Sequence, residues 1–90
     1  MDIIIDKEKF VVTKGKEEIF LPKKEFEILS LLCSVPGKVF SRKILFDHIW
    51  GSKSKSKERT VDVHILNIRK KLGPEIIKTF KGVGYKCKCE

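Results

Sequence analysis

Residues 59–72 contain the side-chain types that recognise DNA bases and DNA phosphates. Asn67 can make two hydrogen bonds with the edge of an adenine, and Val63 and Leu66 can contact the methyl group of a thymine. Four cations of the same segment can reach phosphates on the walls of a groove: Arg59, Arg69, Lys70 and Lys71. The segment therefore has the composition of a helix that lies in the major groove of a DNA duplex.

The spacing of the apolar residues predicts that this segment is a helix with two different faces. At about 100° per residue, one narrow stripe collects four aliphatic side chains and must face the core. These are Val61, Ile65, Ile68 and Leu72. Val63, Leu66 and Asn67 fall on the opposite side. Exposure of large aliphatic side chains to solvent is unfavourable, whereas in a DNA groove these side chains can contact bases. The alternative is that Val63 and Leu66 pack on a neighbouring element while the cations are solvated.

The positive charge is concentrated in the second part of the chain. The 90 residues contain 20 Lys and Arg against 12 Asp and Glu, which gives a formal net charge of +8. Residues 1–35 hold six Lys and seven acids, a net of −1, whereas residues 36–90 hold fourteen Lys and Arg and five acids, a net of +9. This asymmetry predicts a polyanionic partner bound by one face, since charge that serves only solubility is scattered.

Hydrophobic patterns and turn residues predict the elements that must position this helix. Three short segments rich in β-branched and aromatic residues predict a small antiparallel sheet. They are Ile3–Ile5, Phe10–Thr13 and Glu18–Leu21. A first helix is predicted from Lys23 to Cys33. A second helix follows Ser41, its expected N-cap, and ends at Gly51.

A β-hairpin is predicted after the third helix, because the strands Ile76–Phe80 and Tyr85–Cys89 flank Lys81-Gly82-Val83-Gly84. A cation at the tip of a projecting hairpin suits a narrow, electronegative minor groove. The two glycines either permit a close approach to another surface or satisfy a tight turn. The order of sheet, three helices and hairpin predicts one domain, residues 1–90, with an α+β fold. This is a winged helix-turn-helix with a short N-terminal antiparallel sheet and a C-terminal β-hairpin wing.

Two further basic features lie before the third helix in the sequence. The loop Ser52-Lys53-Ser54-Lys55-Ser56-Lys57 contains no apolar residue, so it is predicted to be solvated. Arg42 and Lys43 oppose the dipole of the second helix at its start. One use for cations at this position is to meet DNA phosphates beside the groove.

Other signals favour neither an enzyme nor a metal or cofactor site. His48 and His64 have no carboxylate at a spacing that suggests a catalytic dyad, and no common nucleophile, metalloprotease or phosphate-loop motif occurs. Cys87 and Cys89 could bind a metal ion, with Cys33 or a histidine as further ligands. However, only one residue separates the two cysteines, whereas common zinc sites have a two-residue gap. We therefore expect packed thiols that act as small hydrophobic side chains. Three cysteines without framework spacing indicate a reducing, cytoplasmic setting. No apolar run reaches the roughly 18 residues of a membrane span, and no secretory signal opens the chain.

Three segments near the carboxyl end carry a resemblance to a known family: Arg59-Thr60-Val61-Asp62-Val63-His64-Ile65, Ile68-Arg69-Lys70-Lys71-Leu72-Gly73 and Lys81-Gly82-Val83-Gly84-Tyr85. Three upstream segments fit the same pattern in the same order: Glu25-Phe26-Glu27-Ile28-Leu29, Pro36-Gly37-Lys38-Val39-Phe40-Ser41-Arg42 and Ile49-Trp50-Gly51. The sequence thus resembles the OmpR/PhoB family of bacterial response-regulator effector domains, from about Glu18 to Tyr85.

The resemblance implies a recognition helix over Arg59–Leu72 and binding to direct repeats in promoter DNA as a head-to-tail dimer. It implies phosphate contacts at five positions: Trp50, Arg59, Thr60, His64 and Arg69. It implies base reading at five others: Asp62, Val63, Leu66, Asn67 and Lys70. Lys81 corresponds to the cation of the wing that enters the minor groove. The loop over residues 51–57 corresponds to a segment that contacts RNA polymerase or orients the dimer.

The sequence departs from the family pattern at three positions. Leu21-Pro22 replaces the usual Leu-Thr and removes the N-cap of the first helix, although Glu25 stays near the positive end of the helix dipole. Lys81 stands where Arg is common, which keeps the charge but loses the planar fork. Leu66 stands where a polar or basic residue is frequent, which shifts reading toward methyl contacts.

We therefore expect a sequence-specific, double-stranded DNA-binding domain of a bacterial transcriptional regulator. Two other classes remain open. A winged helix can serve as a protein-interaction module, with its third helix facing a partner protein. A strongly basic domain can also bind nucleic acid without sequence preference.

Overall fold

The computed structural model describes residues 3–51 and 54–88. Its elements are β1 (Ile3–Asp6), β2 (Val11–Lys14), β3 (Glu17–Ile19), α1 (Lys23–Ser34), α2 (Arg42–Ile49), α3 (Thr60–Leu72), β4 (Ile77–Phe80) and β5 (Gly84–Cys87). The strands form one antiparallel sheet in the order β1-β2-β3 and one hairpin, β4-β5. The predicted α+β winged-helix architecture is confirmed.

The N-terminal sheet covers one side of the helices. Val12 pairs with Ile5 and with Ile19, so one row of aliphatic side chains crosses the sheet and packs on the core. The second strand begins at Val11 and not at the predicted Phe10, because Phe10 has a left-handed backbone with φ 58°. The ring of Phe10 stacks on Phe26 of α1, with the ring centres 4.1 Å apart.

Side chains and chain breaks set the ends of the helices. Ser41 caps α2 as predicted, because its Oγ accepts a hydrogen bond from the Ile44 amide at 3.1 Å. Pro22 occupies the N-cap position of α1 and makes no side-chain cap, as the sequence also predicted. Lys24 donates to the Ile49 carbonyl at 2.8 Å, and Lys14 donates to the Leu72 carbonyl at 2.7 Å. Both cations therefore lie at the negative ends of helix dipoles.

The third helix is held by its predicted apolar stripe. Val61, Ile65, Ile68 and Leu72 are each at most 1% exposed and pack in the central cluster. An ion pair adds to this contact: Lys71 Nζ lies 3.0 Å from Oε1 of Glu25, a residue only 4% exposed. Helices α1 and α3 are thus joined by apolar packing and by one largely buried carboxylate.

The hairpin is attached to the chain before α2 through backbone atoms. Phe40 and Tyr85 exchange two hydrogen bonds, Phe40 N to Tyr85 O at 2.8 Å and Tyr85 N to Phe40 O at 2.9 Å. This pairing brings the two backbones so close that a Cβ on Gly84 would lie 2.0 Å from the Phe40 carbonyl oxygen. The glycine at position 84 therefore allows two backbone segments of the protein itself to approach each other closely. The first strand of the hairpin starts one residue later than predicted, at Ile77, because Pro74–Ile76 form a 3-10 turn.

Gly84 and Gly82 provide a matched pair for testing this attachment. We expect Gly84→Ala to lower the free energy of unfolding by about 3 kcal/mol or more, because steric overlap with rigid backbone adds to a strained φ. Gly82→Ala should cost only about 1–2 kcal/mol, because its φ is +76° but nothing lies within 4 Å of the added Cβ. Urea unfolding of both variants measures the difference. Equal losses would contradict the assigned close approach.

Candidate nucleic-acid interface

The outer face of α3 is open to solvent. Val63 is 56% exposed and Leu66 is 51% exposed, whereas the stripe on the opposite face is fully buried. Lys70 is exposed, and Asn67 is half-buried on the same side. Within residues 3–51 and 54–88, the side chains of Arg59, Asn67 and Lys70 make no hydrogen bond or ion pair. The packing alternative for Val63 and Leu66 is therefore wrong, and this face has aliphatic and polar groups available to a ligand.

Trp50, His64 and Thr60 lie together where α2 ends and α3 begins. The indole of Trp50 stacks on Phe46 with ring centres 5.3 Å apart and meets His64 edge-on at 5.2 Å. Nδ1 of His64 lies 2.8 Å from the Thr60 carbonyl, which can only accept, so Nδ1 carries a hydrogen. Nε2 of His64 consequently donates only when the ring is positively charged. The hydroxyl of Thr60 donates to the Lys57 carbonyl, so its proton is already used at the start of the helix.

Two cations that the sequence assigned to phosphate contact have partners within the fold. Arg69 donates to the Ile77 carbonyl from Nη2 at 2.7 Å and from Nε at 3.2 Å, and also to Thr79 Oγ1 at 2.7 Å. It therefore connects α3 to the first strand of the wing. Lys71 is engaged by the buried Glu25 carboxylate. These partners belong to other elements, so no local sequence pattern indicates them.

Asp62 lies at a junction of three elements. Its carboxylate accepts the hydroxyl hydrogen of Tyr85 in β5, and it lies 3.5 Å from Nε of Arg42 at the start of α2. We call Asp62, Tyr85 and Arg42 the helix–wing junction. Burial raises the pKa of Tyr85 to about 12, with further contributions from the hydrogen bond to Asp62 and from its negative charge. The sequence assigned Asp62 to base reading, whereas the structure gives its carboxylate two partners inside the protein.

The wing adds a second exposed basic surface. Lys81 is exposed at the tip of the hairpin, beside Val83, which is 63% exposed. On the strands, Lys78 and Lys86 stand over the ring of Phe80, with their Nζ atoms 5.3 Å and 5.5 Å from its centre. Sequence reasoning did not assign these two lysines a role. The alternation of Lys86 with buried neighbours in β5 was the available signal.

A cleft of about 380 Å³ separates the wing from the start of α2. Arg42 and Lys43 form part of its wall, with Gly82 and Tyr85 opposite. Lys43 pairs with Asp47 at 3.2 Å, and the side chain of Arg42 is 51% exposed despite its contact with Asp62. The cleft therefore presents one arginine head group beside the amino end of a helix, which is an environment that suits a phosphate.

The loop before α3 is only partly described. Ser52 and Lys53 lie outside the described residues. Lys55, Ser56 and Lys57 are exposed, and the Ser54 amide donates to the Gly51 carbonyl at 3.3 Å. The described part of this loop therefore presents its lysines to solvent, next to the amino end of α3.

The cysteines differ from the sequence-based expectation. Cys33 and Cys87 are disulfide-bonded, so the prediction of packed thiols is wrong at these two positions, and Cys89 lies outside the described residues. Among the residues that the structure describes, no three side chains of His, Cys, Asp or Glu lie close enough together to hold a metal ion. The helices within the same residues are too short or too polar to cross a membrane.

The exposed face of α3, the basic wing and the supporting sheet define the class of winged-helix DNA-binding domains of transcription regulators. Residues 15–87 match the family described as "Transcriptional regulatory protein, C terminal". The chain belongs to this family, the OmpR/PhoB-type effector domain of response regulators.

Individual relatives agree with this assignment. The chain is 43% identical over 88 residues to the phosphate regulon transcriptional regulatory protein PhoB of Rhizobium meliloti (strain 1021), covering 93% of this chain and 39% of that protein. The DNA-binding domain of the response regulator AdeR, solved in complex with an intercistronic region, superposes with a TM-score of 0.86 at 33% identity. That match covers 100% of this chain and 97% of the other.

A second DNA complex is also similar. The DNA-binding domain of RstA from Klebsiella pneumoniae, solved with the RstA box, gives a TM-score of 0.85 at 30% identity and covers 97% of this chain and 91% of the other. The chain spans about two fifths of the length of the curated relatives that it matches.

The single tyrosine of the chain allows the helix–wing junction to be tested by titration. We expect the tyrosinate absorbance of the folded protein to rise at about pH 12, above the ordinary value of 10.0. Because the folded pKa is the higher one, the contribution of Tyr85 to stability is complete below pH 10. This contribution is lost as the pH rises from 10 toward 12, because over this range the tyrosine of the unfolded chain loses its proton while Tyr85 of the folded protein still holds it.

Asp62→Asn is the control for this titration. It should lower the pKa of Tyr85 only part of the way, because burial is the larger cause and remains. If Tyr85 of the folded wild-type protein titrated at the ordinary pKa of a tyrosine, that result would contradict the helix–wing junction.

Proposed function

We propose that this domain binds specific sequences in double-stranded promoter DNA, with α3 in the major groove and the wing at the adjacent minor groove. The observation that carries the proposal is the opposition of the two faces of α3. One face is fully buried, and the other exposes Val63 and Leu66 beside Asn67 and Lys70. A helix with exposed aliphatic and amide groups between cations can contact thymine methyls and adenine edges together.

Two groups of side chains have different roles in the proposal. Base reading is assigned to the outer face of α3: Val63, Leu66, Asn67 and Lys70. Phosphate contacts are assigned to groups around it: Arg42, Trp50, Arg59 and His64. Thr60 is left out, because its hydroxyl and its amide both donate to the Lys57 carbonyl. The half-exposed Trp50 can offer its indole N–H, and protonated His64 can offer Nε2–H. Lys81 is the cation proposed for the minor groove.

The proposal extends to partners of the whole regulator. Binding of two domains head to tail to direct repeats is part of the proposal, because the resemblance to OmpR/PhoB-type effector domains implies this arrangement. The exposed lysines of the loop over residues 54–57 are a surface for RNA polymerase or for the second copy. A regulator of this kind acts without catalysis, and it acts in the bacterial cytoplasm, where promoter DNA lies.

Salt dependence tests the electrostatic part of the proposal. If about six phosphates are neutralised, the logarithm of the binding constant should fall against the logarithm of salt concentration with a slope of about −5. The measurement is a fluorescence anisotropy titration with a duplex obtained by selection from a random pool. Competition by random duplex separates the classes: retained binding supports specific recognition, complete competition indicates a non-specific binder, and no binding indicates a protein-interaction module.

Asn67 tests the base-reading part separately. Asn67→Ala should weaken binding to the selected duplex by about 1–3 kcal/mol, because two hydrogen bonds to one base edge are lost. Binding to random duplex should change little, which makes the random duplex the control in the same titration. Equal losses on both duplexes would remove Asn67 from the base-reading surface.

A further inference from the structure

The carboxylate of Asp62 is the point at which the recognition helix, the wing and α2 meet. It accepts the Tyr85 hydroxyl hydrogen from the wing and faces Arg42 Nε at 3.5 Å. A carboxylate that read a cytosine would have to face the groove with free oxygen lone pairs. Here part of that acceptor capacity is used by two groups of the protein, and the side chain is 41% exposed.

The wing is connected to α3 at two separated points. Near the start of the helix the connection is Asp62 to Tyr85, and near its end Arg69 donates to Ile77 and Thr79. Two separated connections restrict rotation of the hairpin relative to the helix more than either connection alone. Tyr85 is also the residue that the backbone pairs to Phe40, so movement there is restricted on both sides.

The tip of the wing depends on this connection. Lys81 lies in the turn between β4 and β5, and Tyr85 is the second residue of β5. Apart from the backbone turn bond from Val83 to Phe80 at 2.8 Å, the tip makes no polar contact with other described residues. The position of the Lys81 ammonium group is consequently set by how the two strands are held below it.

We propose that Asp62 is a positioning residue that fixes the wing relative to the recognition helix, so that Lys81 contributes to DNA binding only when the Asp62–Tyr85 hydrogen bond is intact. This inference rests on the proposed function, because it concerns how that function uses the wing. It replaces the base-reading role that sequence similarity assigned to Asp62. Asp62 acts through Tyr85 and contacts no base.

A set of double-mutant cycles tests the proposal. In the wild-type background, Lys81→Ala should weaken binding to the selected duplex about tenfold, the scale of one hydrogen bond to a charged partner. In the Asp62→Ala and Tyr85→Phe backgrounds, the same substitution should weaken binding less than about threefold, because coupled residues are non-additive. Tyr85→Phe removes only the hydroxyl and keeps the buried ring.

Two further backgrounds make the test selective. Asp62→Asn keeps an acceptor oxygen for the Tyr85 hydroxyl, so the full effect of Lys81→Ala should return. Asp47→Ala removes another exposed acid of the same region, which pairs with Lys43 and makes no ion pair or side-chain hydrogen bond with the wing among the described residues, so the effect should be unchanged. Thermal unfolding by circular dichroism checks that every variant is folded before binding is measured.

The results that overturn the inference are distinct from those that overturn the proposed function. An equal effect of Lys81→Ala in all backgrounds would show that Asp62 does not position the wing. No effect of Lys81→Ala in the wild type would overturn the inference as well, while specific binding through α3 would still be visible in the Asn67→Ala titration. Loss of preference at a single base pair in Asp62→Ala, with Tyr85→Phe unchanged, would return Asp62 to base reading.

Discussion

The burial of one apolar stripe of α3 is the constraint on which the rest of the structure depends. Four aliphatic side chains, each at most 1% exposed, fix the rotation of the helix about its own axis. This orientation also determines which side chains face outward. Turning the helix by one residue, about 100°, would expose part of the apolar stripe. The same helical period therefore determines both which side chains stabilise the fold and which side chains α3 exposes.

The wing depends on a different kind of contact. Its orientation comes from backbone pairing between Phe40 and Tyr85, which glycine at position 84 makes sterically possible. Side chains from α3 then hold it, Arg69 at one end of the helix and Asp62 at the other. Helix α3 consequently supports the wing with residues on the flanks of its outer face, leaving the centre of that face open.

The sequence predicted periodic features well and long-range polar contacts poorly. The stripe of α3, the cap at Ser41 and the hairpin follow local rules of spacing and turn chemistry, and the structure agrees with them. The partner of Asp62 is 23 residues away, and the partner of Lys71 is 46 residues away, so no local pattern indicated either contact. Phe10 was assigned to a strand because its type favours strands, but tertiary stacking on Phe26 overrides that preference.

The lysines and arginines fall into two groups that composition alone cannot separate. Lys14, Lys24 and Arg69 donate to carbonyls of the fold and Lys71 pairs with a carboxylate, so the hydrogen-bonding groups of these cations are engaged within the protein. Arg59, Lys70 and Lys81 have no such partner among the described residues, and they lie on α3 and the wing tip. Uncompensated charge is what attracts phosphates, because a cation already paired gains less from a second anion. Arg59 and Lys70 lie on the same helix as the exposed Val63 and Leu66, so groups that can attract phosphates and groups that can contact bases are close together there.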